Sequence, residues 1–323
     1  MISHEDFRYH PCDPEDDAWT ETLFMIFSVP EAGISGNLYT LARPNLGICH
    51  SSIEIHRGMC LSPWKIHHND SQMHLRAPAD FSEFEMSNGL RFKAHNVREC
   101  SFGYNSLDGN CALELDFRAV CDPFDPHDPD HNPLAASELD GYDGWNNGHM
   151  DSQGKVTGWL RLRDKEYEVN CIDGMDKSWG PRPDWGNKGG TWIQINLGEG
   201  LGAFLVLGLS FQDKEVVYGP FKFGFLSIDG ERRPIVKATM RAQRSEMLVM
   251  RTLVNFEDDQ GNAYEVTGTT IAAAPWYNFN PSSAAFQTLM RWESGDRVGH
   301  SHIADFAGLG FLAQGLADKY DEA

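Results

Sequence analysis

The densest group of residues that could do chemistry is the segment GMDKSWGPRPDWG, residues 174–186. It combines two Asp, two Trp, one Lys and one Arg with Gly and Pro residues that force a fixed, irregular backbone. A carboxyl group enclosed by indole rings loses hydration, so its pKa rises and the group can stay protonated near neutral pH. Asp176 is therefore a candidate acid. In the alternative interpretation the segment is a structural corner, and Asp176 forms an ion pair with Arg182. A structural ion pair of this kind also perturbs pKa values.

A second group is the sequence His300-Ser301-His302. Residues i and i+2 of a strand share a face, so both imidazoles could point to one place. Two His on one strand can begin a metal site, as in a cupin-like metalloenzyme, with Glu293 or Asp305 as a further ligand. No third His stands at a suggestive spacing, so a polar strand end is the alternative and we assign no metal.

Strands must position these residues, because the sequence carries a strong strand pattern and a weak helix pattern. Short runs such as 111–120 and 155–163 alternate apolar and polar residues, which is typical of half-buried strands. Turn sequences such as SNG at 87–89 separate the runs, as they do in β-hairpins. We therefore predict an all-β protein built as an antiparallel barrel or sandwich. Helix is predicted only over 311–323 and 134–139.

The Pro-rich segment CDPFDPHDPDHNP, residues 121–133, interrupts the strand pattern. Pro cannot donate to a strand ladder, so this segment and the polar stretch after it form a long connection. We place a domain boundary near residue 150, with an N-terminal domain over 1–150 and a C-terminal domain over 151–323. About eight strands are expected before the boundary and a similar or larger number after it.

Composition limits the functions that the chain can have. Lys plus Arg number 27 against 47 Asp plus Glu, which is a formal net charge of -20. Such a surface repels phosphate backbones and anionic headgroups, so no nucleic-acid partner and no membrane-surface role is expected. The most apolar stretch, 203–211, is too short to span a bilayer. Because the start lacks a secretory pattern and the 7 Cys form no CxxC pair, we expect a cytoplasmic protein.

Motifs of several enzyme classes are missing from the sequence. The chain has no GxSxG elbow, no GxGxxG after a strand, no Walker loop and no HExxH. Serine hydrolases, nucleotide-dependent enzymes and zincins are therefore disfavoured.

The string MDKSWGPR, residues 175–182, resembles the DHSWGxR signature of the carotenoid 1,2-hydratase (hydroxyneurosporene synthase) and AttH-like superfamily. Lys177 stands where that signature usually has His, and Met175 stands where Arg is common. Strand-like segments before and after it, at 19–47 and 216–235, also resemble the superfamily, so the resemblance covers nearly the whole chain. The residues that match the signature are Asp176, Ser178, Trp179, Gly180 and Arg182.

The resemblance implies a pair of lipocalin-like antiparallel β-barrel domains, packed side by side, with an apolar cavity for a hydrophobic small molecule. It also implies chemistry without a metal or redox cofactor. Members of the superfamily include hydratases that add water across an isoprenoid double bond, and related folds serve as cyclases. The implied activity is that of a hydratase, dehydratase, isomerase or cyclase. The alternative is a non-catalytic carrier, because such cavities also bind apolar ligands without converting them.

Hydration of an alkene needs a neutral acid, and we expect Asp176 to supply the proton. The carbocation that forms needs an electron-rich wall, which aromatic rings supply by cation–π attraction. A polar group must hold the water, with His300 or His302 as candidates. Arg182 would anchor a carboxylate or support Asp176. The candidates for catalysis are Asp176, Lys177, Trp179, Arg182 and His300. The candidates for substrate binding are Trp185, Trp192, Tyr218, Trp276, Tyr277 and His302.

Two further features have a structural interpretation that we favour. The aromatic loop PWYNFNP, residues 275–281, could cover a barrel mouth, but a packed corner is favoured. His149 could face the mouth of the cavity, and a structural role is again favoured. The sequence leaves the substrate and the oligomeric state open, with a homodimer among the options.

Overall fold

The computed structural model describes residues 2–135, 148–182, 184–186, 188–198, 200–213 and 215–320. Strands dominate these residues, which confirms the prediction of an all-β protein. The helix α1 (Leu309–Tyr320) follows the last strand and begins before the predicted residue 311. Residues 321–323 of that prediction, and 136–139 of the other predicted helix, lie outside the described residues. Of the described helices, none has the length and apolar character needed to cross a membrane.

Within the described residues, ten antiparallel strands form the first sheet, which curls into a half-barrel. Their bounds are β1 Trp19–Val29, β2 Ile34–Arg43, β3 Ile48–Arg57, β4 His68–Arg76, β5 Glu83–Glu85, β6 Leu90–Ala94, β7 Glu99–Asn105, β8 Cys111–Ala119, β9 Gly148–Leu162 and β10 Lys165–Pro181. Their order across the sheet is β4-β3-β2-β1-β10-β9-β8-β7-β6-β5. The first strand of the chain therefore lies beside the tenth, at the centre of the sheet.

The next eight strands form a closed antiparallel barrel, in which the last strand pairs with the first. Their bounds are β11 Gly189–Asn196, β12 Leu201–Gln212, β13 Glu215–Ile228, β14 Glu231–Ser245, β15 Leu248–Asp258, β16 Ala263–Asn280, β17 Ser283–Ser294 and β18 Arg297–Gly308. Neighbours in sequence are neighbours in the barrel, so each connection is a hairpin. The prediction of two barrel-like antiparallel units is confirmed.

Tight turns of one type join the first three strands. A short 3-10 turn at Pro30–Ala32 is followed by Gly33, and another at Pro44–Leu46 is followed by Gly47. Pro has the φ value that starts such a turn. The two Gly have φ values of 63° and 67°, in the left-handed region that costs other residues energy. Pro and Gly at these positions therefore set the hairpins that align β1, β2 and β3.

Strand β1 is buried along its whole length because both faces of the first sheet are covered. Leu23, Met25 and Phe27 point into the core of the half-barrel. Phe24 and Ile26 point the other way and pack against the outer wall of the barrel. The interior of the barrel holds a separate apolar core. The contact between the first sheet and the barrel is thus a distinct layer.

The chain passes from the first sheet to the barrel between Pro181 and Gly189. The boundary predicted near residue 150 falls at the start of β9, and β9 and β10 belong to the first sheet. The segment MDKSWGPR therefore lies in the first sheet and not in the second unit. The Pro-rich segment 121–133 leaves β8 and leads back to the same sheet, so its composition marks a long connection within one unit.

Candidate functional site

A cavity of about 410 Å³ lies between the first sheet and the outer wall of the barrel. Strands β1, β2, β9 and β10 line one side, and barrel strands with the start of α1 line the other. Its volume is in the range of small-molecule sites. Because the barrel interior is filled by its own core, this space lies outside the barrel.

The strand register puts four polar side chains on one face of the first sheet. Asp176 on β10 stands opposite Asp151 on β9, and Ser178 stands opposite His149. Alternate residues of a strand share a face, so these side chains point the same way, toward the barrel. Strand β1 adds Phe24, which stands opposite Asp176 on the other side of β10. Polar and aromatic groups therefore meet at one place in the cavity wall.

Asp176 presents a carboxyl group to the cavity in a poorly hydrated setting. Burial raises its pKa to about 7, and the charge of Asp151 acts in the same direction. The positive charges of His149 and Arg182 oppose the increase. The group can therefore hold a proton near neutral pH and release it into the cavity.

His149, Asp151 and Trp192 form a hydrogen-bonded chain beside Asp176. Nε2 of His149 lies 2.8 Å from Oδ2 of Asp151, and the indole N–H of Trp192 donates to Oδ1 of Asp151 at 2.8 Å. Burial disfavours a charged imidazole, but the Asp151 charge and hydrogen bond and the Asp176 charge outweigh it and raise the pKa of His149. The imidazole is oriented by one carboxylate and lies near another, which suits a group that exchanges protons.

Arg182 lies at the end of the same polar face. Its guanidinium donates to the hydroxyl of Ser178 and also forms a hydrogen bond with Tyr39. The hydroxyls of Ser178 and Thr22 are 2.7 Å apart. Hydroxyl groups thus hold the guanidinium at the cavity wall, where its positive charge reaches Asp176.

Aromatic rings form much of the cavity wall. Phe24 meets Trp192 edge-on, with ring centroids 5.4 Å apart, and stacks against Trp276 at 5.9 Å. Tyr39 meets Trp276 edge-on at 5.8 Å. The Trp276 N–H donates to the Ser52 hydroxyl at 2.9 Å, so this indole, like Trp192, is held by a hydrogen bond. Fixed rings of this kind can stabilise a cation in the cavity.

Lys177 and Trp179 lie on the opposite face of β10, away from the cavity. Lys177 is fully buried and its ammonium nitrogen lies 2.6 Å from Oε2 of Glu21. It also lies 4.9 Å from the ring centroid of Trp179, which stacks on His10 with centroids 3.8 Å apart. The two-residue period of a strand therefore separates these side chains from Asp176.

The residues predicted to bind a substrate divide into two groups. Trp192 and Trp276 line the cavity. Trp185 is 85% exposed and Tyr277 is 55% exposed, and both lie outside the lining. Tyr218 packs against the core inside the barrel, on the other side of the wall. The structure brings two of these five aromatic residues to the cavity.

His300 and His302 are not grouped with a third side chain that could complete a metal site within the described residues. His302 is buried, with Nδ1 2.5 Å from Oδ2 of Asp173 and Nε2 2.8 Å from the hydroxyl of Ser35. Asp305 is bound instead by side chains of the barrel. In the described part of the chain, no three His, Cys, Asp or Glu side chains are grouped to hold a metal ion. His302 links the barrel to the first sheet.

Sequence analysis missed Phe24 and Tyr39, which line the cavity, and Asp151, which accepts a hydrogen bond from the lining residue Trp192. His149, for which a structural role was favoured, also borders the cavity. The available signal was the sequence HMD at 149–151, where His and Asp two residues apart share one strand face. That signal needs a strand prediction at this point, and the polar composition around it does not favour one.

Comparison with solved structures defines the class of fold. AttH from Nitrosomonas europaea aligns with a TM-score of 0.59 and 12% identity, over 94% of this chain and 95% of that chain. Kievitone hydratase from Nectria haematococca aligns with a TM-score of 0.51 and 8% identity, over 91% and 89%. CghA with Sch210972 aligns with a TM-score of 0.50 and 10% identity, over 91% and 89%. The chain therefore has an AttH-like, lipocalin-type fold, which confirms the resemblance at the level of the fold.

Within that class, the chain belongs to the family described as Domain of unknown function (DUF7064), whose family model matches residues 3–304. The match takes in the first sheet, nearly all of the barrel, and the cavity residues Asp176, His149 and Trp276. No curated protein matches the chain.

Proposed function

We propose that this protein is a cofactor-independent lyase or isomerase that acts on a hydrophobic small molecule bound between the first sheet and the barrel. The reaction class is hydration, dehydration, double-bond migration or cyclisation by acid–base catalysis. The observation that carries the proposal is a cavity carboxyl group, Asp176, with a pKa of about 7. Kievitone hydratase, a hydratase by name, shares the fold, which supports this reaction class.

In the first step, protonated Asp176 donates its proton to one carbon of a double bond, and the neighbouring carbon becomes cationic. The ring faces of Phe24, Trp192 and Trp276 stabilise this cation. Asp176 is left as a carboxylate, which the positive charge of Arg182 favours, while His149 is still neutral. The same surroundings thus permit the neutral acid and stabilise the charged form after transfer.

In the second step, His149 accepts a proton. In hydration the proton comes from the water that attacks the cation, and in isomerisation it comes from a carbon next to the cation. Asp151 stabilises the imidazolium that forms, through its hydrogen bond to Nε2. Transfer of this proton to the Asp176 carboxylate restores the starting state. Dehydration is the same sequence in reverse.

The test exposes the protein to a metabolite extract from its own host, in water enriched in deuterium or in oxygen-18. Hydration adds one solvent oxygen to a product, whereas isomerisation adds solvent deuterium with no change of elemental formula. We expect mass spectrometry to detect such a product with the native protein. Because Asp176 is the proposed acid, Asp176→Asn should slow its formation by about 10²–10⁴-fold. Full turnover by that variant would show that another group is the acid.

Asp164→Asn is the matched control, because Asp164 is exposed in the turn between β9 and β10. This variant makes the same chemical change on the same hairpin and should keep full activity. The competing function is a carrier, which binds a ligand without converting it. A ligand retained in native mass spectrometry, with no isotope incorporated by the native protein, would identify a carrier.

A further inference from the structure

We propose that the substrate carries one anionic group, a carboxylate or a phosphate, which Arg182, Lys188 and Lys222 recognise at the cavity. The inference rests on the proposed function only in placing a ligand in this cavity. It defines the class of substrate as an amphipathic acid, in which an apolar body reaches the aromatic wall and a charged group stays with the three cations.

The charge of the cavity lining is the first argument. Arg182, Lys188 and Lys222 border the cavity, and Asp176 is the acidic residue among its described lining residues. The chain as a whole has a net charge of -20, so the lining has the opposite sign to most of the surface. A cleft with charge of one sign and low-dielectric walls concentrates ligands of the other sign. The lining therefore selects an anion, while the surrounding surface repels it.

The positions of Arg182 and Lys222 are the second argument. The Arg182 guanidinium donates to Ser178, and Ser178 stands opposite His149 on the paired strands. The rings of His149 and Phe223 have centroids 6.3 Å apart, and Lys222 precedes Phe223 on β13. Both cations also border the same cavity, Arg182 from the first sheet and Lys222 from the barrel.

Lys188 is placed differently, at the edge of the cavity. It is exposed and directly precedes β11. Trp192 follows four residues later, about 13 Å along an extended strand. An ammonium group acts as a point charge, whereas the planar guanidinium forms paired hydrogen bonds with a carboxylate or phosphate. Because Lys188 is exposed, it is suited to attract the anion on entry, whereas the guanidinium of Arg182 is suited to hold it, with the half-buried Lys222 as a second charge.

The test measures displacement of a neutral fluorescent probe, N-phenyl-1-naphthylamine, from the native protein. Three competitors share one apolar chain: dodecanoate, dodecyl phosphate and dodecanol. We expect at least one anion to bind about tenfold more tightly than the alcohol, since a cation at a partly exposed site contributes only modestly. The better of the two anions identifies the headgroup. Equal affinity of the alcohol and both anions, or failure of all three to displace the probe, would overturn the inference.

Variants separate this inference from the proposed function. Lys222→Met and Lys188→Met should each reduce the preference for the anion and leave the affinity for dodecanol unchanged. Lys237→Met, at an exposed position on β14, makes the same charge change and should leave the preference intact. Asp176→Asn should retain the preference, so a failed acid assignment leaves this result standing. An undiminished preference in both Lys222→Met and Lys188→Met would contradict the assignment of the cations.

Discussion

Asp176 and Asp151 stand directly opposite each other on the paired strands β10 and β9, yet their carboxyl groups have different surroundings. Asp151 accepts hydrogen bonds from His149 and Trp192. Asp176 borders the cavity, and burial raises its pKa to about 7. Two carboxyl groups on one face thus have environments that separate their roles, one as an acid and one as the anchor of an imidazole.

The titration of Asp176 can be measured without a substrate. In protein labelled with ¹³C at the Asp carboxyl carbons, one carboxyl signal should titrate near pH 7, because burial disfavours its charged form. Loss of that signal in Asp176→Asn would assign it. If the assigned signal instead titrates in the ordinary acidic range of Asp, the carboxyl is hydrated and the proposed acid is not available at neutral pH.

The same pKa predicts how stability depends on pH. Between the ordinary value of 3.8 and about 7, folded Asp176 keeps a proton that the unfolded chain has released. The contribution of Asp176 to the free energy of unfolding therefore falls as pH rises through this window and is constant above it. Asn cannot titrate, so the stability of Asp176→Asn relative to the native protein should increase over this range. Urea unfolding at a series of pH values measures the difference, and a flat difference would refute it.

Trp192→Phe should raise the pKa of His149 above its native value. The change removes the donor to Oδ1 of Asp151 and leaves the carboxylate with less hydrogen-bond stabilisation, so it favours the imidazolium more strongly. NMR titration of the labelled imidazole measures this. Trp276→Phe is the matched control, because it removes an equivalent donor, to Ser52, outside the His149 chain. Equal effects of both changes would show that Trp192 acts only through packing.

Lys177→Met should destabilise the protein by about 3–5 kcal/mol, because it removes the Lys177 ammonium from the buried Glu21 carboxylate, which keeps its hydrogen bonds from His10 and Trp19. The double variant Glu21→Gln/Lys177→Met removes both charges and should recover a large part of the loss. Urea unfolding of both variants tests this expectation. A double variant no more stable than Lys177→Met would contradict the account of these residues as a charge pair in the half-barrel core.

Gly174→Ala should cost about 1–3 kcal/mol of stability and weaken ligand binding. A Cβ at this position of β10 would overlap the ring of Trp192 and the amide of Gln194. Trp192 would have to move, which changes the cavity wall. Gly310→Ala is the control, since open space surrounds that position. Thermal unfolding and displacement of N-phenyl-1-naphthylamine measure the two effects, and an unchanged probe affinity would show that the ring is free to adjust.

Sequence analysis predicted the strands of this fold more accurately than their arrangement in the two units. The alternation in 111–120 corresponds to β8, Cys111–Ala119, because the two-residue period and the turns around it are local properties. The domain boundary near residue 150 was placed from the composition of 121–133. That composition indicates a long connection between strands. Whether β9 and β10 belong to the first sheet depends on the pairing of β10 with β1, two strands that are far apart in the sequence.

The sequence by itself determined the all-β class and the hairpin turns, since each depends on residues close together in the chain. Sequence analysis predicted an irregular backbone for residues 174–186, whereas the structure continues strand β10 to Pro181 and so places Asp176 and Lys177 on opposite faces. Only the tertiary structure decided which face meets the cavity, because that depends on the barrel packing against the first sheet. It likewise brought His149 and Trp192 to Asp151, since contacts between distant segments are set by strand order and sheet packing, which no local pattern encodes.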